Sequence, residues 1–215
     1  MADKNMFLDQ KDYELYDLNE EDLDPDPFKQ FGKWYEEAIK NDCPQPDAMT
    51  LATATLDSIP SARMMLLKDF DQHGFTFYTN SESIKGEDLS QNPLAAIVFW
   101  WPLLERQVRI EGVVDRVSGE EADSYFKTRP RGSCIGAWSS DQSRVIGSRK
   151  SLDDRFREFE DKYRDREIPR PPYWVGYCLR PNSIEFWQGR PNRLHDRLRY
   201  RLVEDGRWII ERLAP

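Results

Sequence analysis

"AMTLATATLDSIPSARMMLLKDFDQHGFTFYTN", residues 48–80, decides the fold class. Two strand-like runs, 48–56 and 61–70, are parted by "DSIP", and "FTFYTN" follows the turn "DQHG". Proline presets one backbone angle and glycine tolerates positive φ, so these breaks reverse the chain between short extended runs. The stretch predicts an antiparallel meander. Downstream, "LAAIVFWW" (94–101) reads as a fully buried strand. "RQVRIEGVVDRVS" (106–118) alternates polar and apolar, as a strand with one wet face does. "YWVGYCLRP" (173–181), "SIEFWQG" (183–189) and a hairpin over 197–213 turned by Asp205-Gly206 complete the strands.

Helices are fewer. Asp26 is placed to cap a helix with Pro27 at its first position, and Phe28, Phe31, Tyr35, Ala38 and Ile39 recur near the helical period on one buried face. Residues 81–93 predict a short helix ended by Asn92-Pro93, 119–130 a helix ended by Pro130, and 151–165 a charged helix capped by Ser151. Closely spaced strands with few helices between them predict a mainly β chain with peripheral helices (α+β), closed or nearly closed as an antiparallel barrel. Residues 1–24 read as a flexible acidic arm and 25–215 as a single domain.

The chain has 215 residues, a net charge of -8 and a pI near 5.0. That charge argues against general nucleic-acid binding, which needs a basic footprint to neutralise phosphates. A rival RNA-binding barrel would need a continuous basic stripe, and none is visible. No apolar run approaches the roughly 18–20 residues that a bilayer requires, and the first residues lack a secretory signal pattern, so a cytoplasmic protein is expected. Cys43, Cys134 and Cys178 are odd in number and far apart, without a C-x-x-C pair, which predicts reduced thiols and no metal site.

Against that acidic background, local basic clusters point to a small anion. Arg63 and Lys68 bracket an apolar run and so stand at opposite ends of one strand, as an anion site or simply as snorkelling strand-end charges. Tyr78, Thr79, Ser81, Ser83 and Lys85 stand at a strand-to-helix junction, either a phosphate cradle or a plain capping turn. Tyr125, Arg129, Arg131, Ser133, Gln142 and Ser143 form a second anion site or a solvated loop. In "EFWQGRPNRLHDR" (185–197), Phe186 and Trp187 point to opposite faces, leaving an indole to cover a flat ring. Arg193, His195 and Arg197 are each two apart, so an extended segment would show all three on one side.

Taken in order, "RMMLLK", "FYTNSES-KG", "ERQVRIEG", "YFKTRPRGSCIGAW", "QS", "EFWQG", "NRLHDR" and "ERLAP" resemble the pyridoxamine 5′-phosphate oxidase family from about residue 26 onward. The resemblance implies an FMN-binding split β-barrel, a homodimer with each flavin held between two subunits. It implies flavin contacts from Arg63, Met64, Met65, Leu66, Tyr78, Thr79, Lys85, Gln107, Gln142, Ser143, Trp187 and Arg197. The substrate phosphate would lie among Lys68, Tyr125, Arg129 and Ser133, with Arg193, Leu194 and His195 facing the pyridine ring. Arg193, His195 and Arg197 are the implied catalytic set.

The implied reaction converts pyridoxamine or pyridoxine 5′-phosphate to pyridoxal 5′-phosphate, with O2 as acceptor and H2O2 as product. Where the family usually has Ser-Arg-Lys-Gly, this chain has Ser83-Ile84-Lys85-Gly86, and Arg144 is a candidate replacement for the missing arginine. The same departure leaves an alternative, a divergent, low-activity paralogue that carries or senses FMN or pyridoxal phosphate. In some relatives the N-terminal arm is basic and folds over the active site, whereas residues 16–26 here are acidic.

Overall fold

The "DQHG" turn forms as expected in the computed structural model, which describes residues 12–215. Strands β3 (Asp69–Asp71) and β4 (Gly74–Asn80) pair antiparallel with Asp71 opposite Gly74. Asp71 Oδ1 accepts the His73 N–H at 2.7 Å, which closes the reversal. Gly74 has φ 152°, and a Cβ there would stand 2.2 Å from the Leu179 carbonyl oxygen, so both conformation and space demand glycine.

Strands β1 (Ala48–Ala54) and β2 (Pro60–Leu66) form a separate hairpin, Ala54 opposite Pro60. The others are β5 (Leu94–Trp101), β6 (Arg106–Arg116), β7 (Trp174–Gln188), β8 (Asp196–Leu202) and β9 (Trp208–Arg212). Their order is β2-β1-β5-β6-β7-β4-β3, with β8 on β7 and β9 on β8. The expected meander is therefore two hairpins apart in one sheet. Burial explains the difference: β4 is buried at all but one position and lies between two partners, whereas every second residue of β2 is exposed and it ends the path. Turn residues say where the chain reverses, but not which strand it joins.

Two further corrections concern strands. The "LAAIVFWW" strand is not fully buried, since Leu94 is 57% and Trp100 44% exposed. The two strands expected on either side of residue 182 are one continuous strand, β7, running through Pro181.

The described residues group into two compact units, one of residues up to Pro46, Val98–Ile110 and Asn182–Pro215, the other of Asp47–Ile97 and Glu111–Pro181. In the first, Asp26 caps α1 (Pro27–Lys40) by accepting the Phe28 and Lys29 N–H groups. Its buried face is Phe31, Trp34 and Ala38, an i, i+3, i+7 stripe, with Ile39 turned to solvent against expectation. Phe31 meets Phe99 at 5.2 Å and Trp34 meets Phe186 edge-on at 5.0 Å.

Of the expected flexible arm, residues 1–11 lie outside the described residues, and 12–24 make contacts within the first unit. Glu105 accepts the Glu14 and Leu15 N–H groups, Arg212 forks onto Glu20, and Leu18 is buried. Interspersed apolar residues and acidic groups that find arginines make these contacts.

The second unit carries α2 (Ile84–Gln91), α3 (Gly119–Thr128), α4 (Arg131–Ser139) and α5 (Arg149–Lys162). Phe126, Cys134, Ile135, Tyr163, Ile168 and Trp174 form its buried cluster beside the helices. The cap of α5 is Ser148, whose hydroxyl accepts the Ser151 N–H, so the helix begins earlier than expected. Helix α4 replaces the expected loop; its glycines and serines have poor helix propensity, and packing of Cys134 and Ile135 supplies the stability instead. No helix among the described residues is long and apolar enough to cross a membrane.

Replacing Gly74 by alanine is expected to cost on the order of 3 kcal/mol, from strain plus the clash with the β7 backbone. Urea unfolding of the variant against the parent measures it.

Candidate functional site

In the second unit, the strand-to-helix junction and the α4 region come together. Thr79 at the end of β4 donates to Gln142 Oε1 at 3.1 Å, and Lys85 Nζ donates to the same oxygen at 2.9 Å. Ser83 caps α2 through Gly86, and Ser81 and Ser83 donate to backbone carbonyls. The capping reading thus holds for Ser83, while Ser81 ties to the Tyr173 carbonyl and Thr79 and Lys85 face Gln142.

Arg63 on β2 donates to Thr53 Oγ1 at 2.7 Å and to Ser61, and Thr53 in turn donates to the buried Asp88 at 2.6 Å. Its guanidinium lies 4.0 Å from Asp88. Met65 shares the half-buried side of β2 with Arg63, whereas Met64 and Leu66 alternate to the exposed side. Ser143 is exposed, with φ 70°.

A cavity of about 360 Å³ is lined by Met65, Tyr78, Thr79, Arg129, Ser133 and Gln142, residues drawn from both the flavin and the substrate sets, together with Trp174. Tyr125 stacks on Tyr78 at 4.2 Å, and Tyr78 on Trp174 at 5.1 Å. Gly176 opposite Tyr78 leaves room for its ring, since a Cβ would stand 2.6 Å from it. Burial, and then Glu121, push the Tyr78 hydroxyl well above the usual tyrosine range. Lys68 does not line this cavity; it pairs with Asp47 at 3.2 Å. Arg131 caps the carbonyls of Tyr163, Arg164 and Arg166, a structural use rather than an anion contact.

Two cations here lack a carboxylate partner among the described residues. Lys85 is pulled down to about 8 by burial and then by Arg63. Arg129 is lowered by burial, its Nη1 is buried without a hydrogen-bond partner, and its guanidinium lies 4.7 Å from the Trp174 ring. Burying an uncompensated cation is costly, so both positions suit an anion.

The first unit holds Gln107, Trp187, Arg193, Leu194, His195 and Arg197. Phe186 is fully buried and Trp187 half-buried, as alternation requires. Trp187 meets His195 at 4.6 Å, and Tyr13 packs edge-on against both, in space that Gly189 leaves open. Arg197 forks onto the buried Glu185 at 2.7 and 3.1 Å and donates to the Ala214 carbonyl at 2.8 Å. Those hydrogen bonds to Glu185 hold it above the usual arginine range. Gln107 is half-buried on β6, and Leu194 is 68% exposed.

The expectation that Arg193, His195 and Arg197 share one face of an extended segment is corrected. Pro191–Arg193 form a 3-10 turn, with Asn192 at φ 57° and Arg193 at φ 60°, and β8 begins only at Asp196. Proline starts the turn, and asparagine tolerates left-handed backbone. The Arg190 N–H donates to His195 Nδ1 at 3.1 Å, so the neutral ring carries its proton on Nε2. Burial, then Arg193, lower the His195 pKa against the opposing pull of Asp196.

Two residues escaped the sequence reading. Trp174 reads as an ordinary strand aromatic, and Glu185 as the polar member of an apolar run; only the ring over Arg129 and the fork to Arg197 reveal their contacts. Arg144 reaches the start of α2, donating to the Glu82 carbonyl and pairing with Glu87, while Ile84 is half exposed. Among the described residues no group of His, Cys, Asp and Glu is placed to hold a metal ion.

The model for the family described as pyridoxamine 5′-phosphate oxidase matches residues 35–163, and that for the pyridoxine 5′-phosphate oxidase C-terminal dimerisation region matches 174–215. The pyridoxine/pyridoxamine 5′-phosphate oxidase of Gloeothece citriformis is 57% identical over 205 residues, covering 95% of this chain and 96% of its own. That of Acaryochloris marina is 58% identical, covering 95% and 93%. PhzG from Burkholderia lata, solved with tetrahydrophenazine-1-carboxylic acid, is similar at TM-score 0.86 and 30% identity, covering 91% of this chain and 95% of its own. The mainly β split-barrel fold with peripheral helices is therefore shared with these proteins. With two matched regions and relatives of more than half identity across nearly its whole length, the chain belongs to the pyridoxamine 5′-phosphate oxidase family.

Proposed function

We propose that this chain is a homodimeric oxidase that converts pyridoxamine 5′-phosphate and pyridoxine 5′-phosphate to pyridoxal 5′-phosphate, using FMN and O2 and releasing H2O2. The observation that carries the reading is the cavity where residues implied for flavin and for substrate meet beside Arg129, with Lys85 joined to its wall through Gln142. Two anionic partners explain why the buried Lys85 and the half-buried Arg129 have no carboxylate among the described residues.

The residues fit FMN on physical grounds. Lys85 and Arg63 are close enough to lower the Lys85 pKa, an arrangement that a phosphate dianion between or beside them would relieve. Thr79 and Gln142 supply neutral hydrogen-bonding groups there, and Met65 and Tyr78 offer apolar and aromatic surface for a flat ring. When bound, FMN supplies the two-electron oxidising chemistry and the reaction with O2.

The remaining work belongs to the chain. Arg129 and Ser133 take the substrate phosphate, with Tyr125 held flat against Tyr78, and Lys68 joins them by exchanging Asp47 for the phosphate. From the first unit, Gln107, Trp187 and Arg197 are assigned to the flavin, and Arg193, Leu194 and His195 to the substrate ring. His195 presents a protonated Nε2 as a hydrogen-bond donor, and Arg193 orients the ring; neither is assigned an obligatory proton transfer. The matched dimerisation region supports assembly as a homodimer. Ile84 at the exposed start of α2 favours a second reading, a weakly active carrier or sensor.

The purified protein is expected to be yellow, to bind FMN, and to release peroxide when given pyridoxamine 5′-phosphate in air. Colour without peroxide would select the carrier reading, and no FMN binding would end both. Arg129→Gln is expected to raise KM for the phosphorylated amine roughly ten- to a hundredfold, the loss of one charge-assisted contact, with a smaller change in kcat. FMN affinity is also expected to fall as pH rises above about 8, because Lys85 must then take up a proton to meet the phosphate. Titrations of apoprotein between pH 7 and 10 check this, and Lys85→Met should bind more weakly with a flatter profile.

A further inference from the structure

Arg129 is a half-buried arginine that, among the described residues, is held by rings rather than acids. Its guanidinium lies 4.7 Å from the Trp174 ring and 5.3 Å from that of Phe126. Its one buried, unpartnered side-chain nitrogen, Nη1, leaves hydrogen-bonding capacity unspent. The contrast lies elsewhere in the same chain: Arg63 stands 4.0 Å from Asp88, and Arg197 is forked onto Glu185. A carboxylate fixes an arginine but cancels its field, whereas an aromatic face attracts the cation and leaves its net charge intact.

We propose that Trp174 is a positioning residue for the anion site, holding Arg129 by its ring face so that the guanidinium meets a phosphate monoester with its charge uncancelled. This deepens the reading that the cavity takes a phosphorylated substrate. The indole is itself immobilised. It is 7% exposed, stacks nearly parallel on Tyr78 at 5.1 Å, and meets Phe126 edge-on at 5.0 Å. Its backbone is tied down as well, since its carbonyl accepts from Arg170 at 2.7 Å and its N–H donates to the Pro171 carbonyl at 3.0 Å. Arg170 is in turn held by Asp123 at 2.6 Å. Trp174 also lines the cavity, so the platform and the anion site share one wall.

The test uses the FMN-loaded protein and two probes, inorganic phosphate as a competitive inhibitor and pyridoxamine 5′-phosphate as substrate. Trp174→Leu is expected to weaken phosphate inhibition and raise KM by roughly 5- to 30-fold while kcat changes less than threefold; Trp174→Phe, which keeps a ring face, should recover most of the loss. Unchanged phosphate inhibition in Trp174→Leu would overturn the proposal, as would equal losses in the Leu and Phe variants, which would make the effect one of packing volume. Should Trp174→Leu not fold, Phe126→Leu removes the ring on the other contact: at least threefold weaker phosphate supports the proposal, and no change overturns it. A parent protein that binds FMN but neither probe would sink the functional reading and this inference with it. A parent that binds both, with a Leu variant that binds both equally well, sinks this inference alone.

Discussion

Lys85 is a buried cation and Arg129 a half-buried one with its Nη1 buried, neither with a carboxylate partner among the described residues, and the rest of the site is organised around that cost. A protein tolerates such groups only when something else stabilises the charge. For Lys85 the local support is neutral, the Gln142 and Ser83 oxygens; for Arg129 it is the faces of Trp174 and Phe126. Neither arrangement cancels the positive charge, so each stays ready for an anion. The surrounding architecture serves this purpose. The Ser83 cap sets the direction of α2, and Gly176 admits the Tyr78 ring that supports Trp174.

The first unit treats its cations in the opposite way. Arg197 is neutralised by Glu185 and braced by the Ala214 carbonyl, and Arg106 is tied to Glu37 and Gln188 while lying over Trp34. These arginines are fixed in orientation and offer directed N–H groups more than net charge.

Much of this was legible in residue order. Asp26-Pro27 marked the start of α1, "DQHG" and Asp205-Gly206 marked their hairpins, and alternation exposed the wet face of β6. The clusters around Tyr78 and Arg129 were also visible as cationic and hydroxyl groups, each with a bland reading of equal standing. What separated the readings was the partner each group found in the fold. Ser83 proved to be the cap of α2, Ser81 a donor to the Tyr173 carbonyl and Arg131 a brace for carbonyls, whereas Thr79, Gln142, Arg129 and Ser133 line one cavity. The left-handed turn at Asn192-Arg193 was missed because two-residue spacing implies a shared face only in extended chain.

Sequence alone determined the elements whose causes are local: the caps, the hairpin turns, the mainly β class, and an ordered set of motifs that points to one family. Tertiary structure decided the strand order, which separates β2 from β4, and the partners of each charged side chain. Turn chemistry acts over a few residues, whereas strand neighbours and ion pairs are chosen by burial and distance between segments far apart in the chain. Whether an arginine faces a carboxylate, as Arg197 does, or an indole, as Arg129 does, is written in no short stretch of sequence.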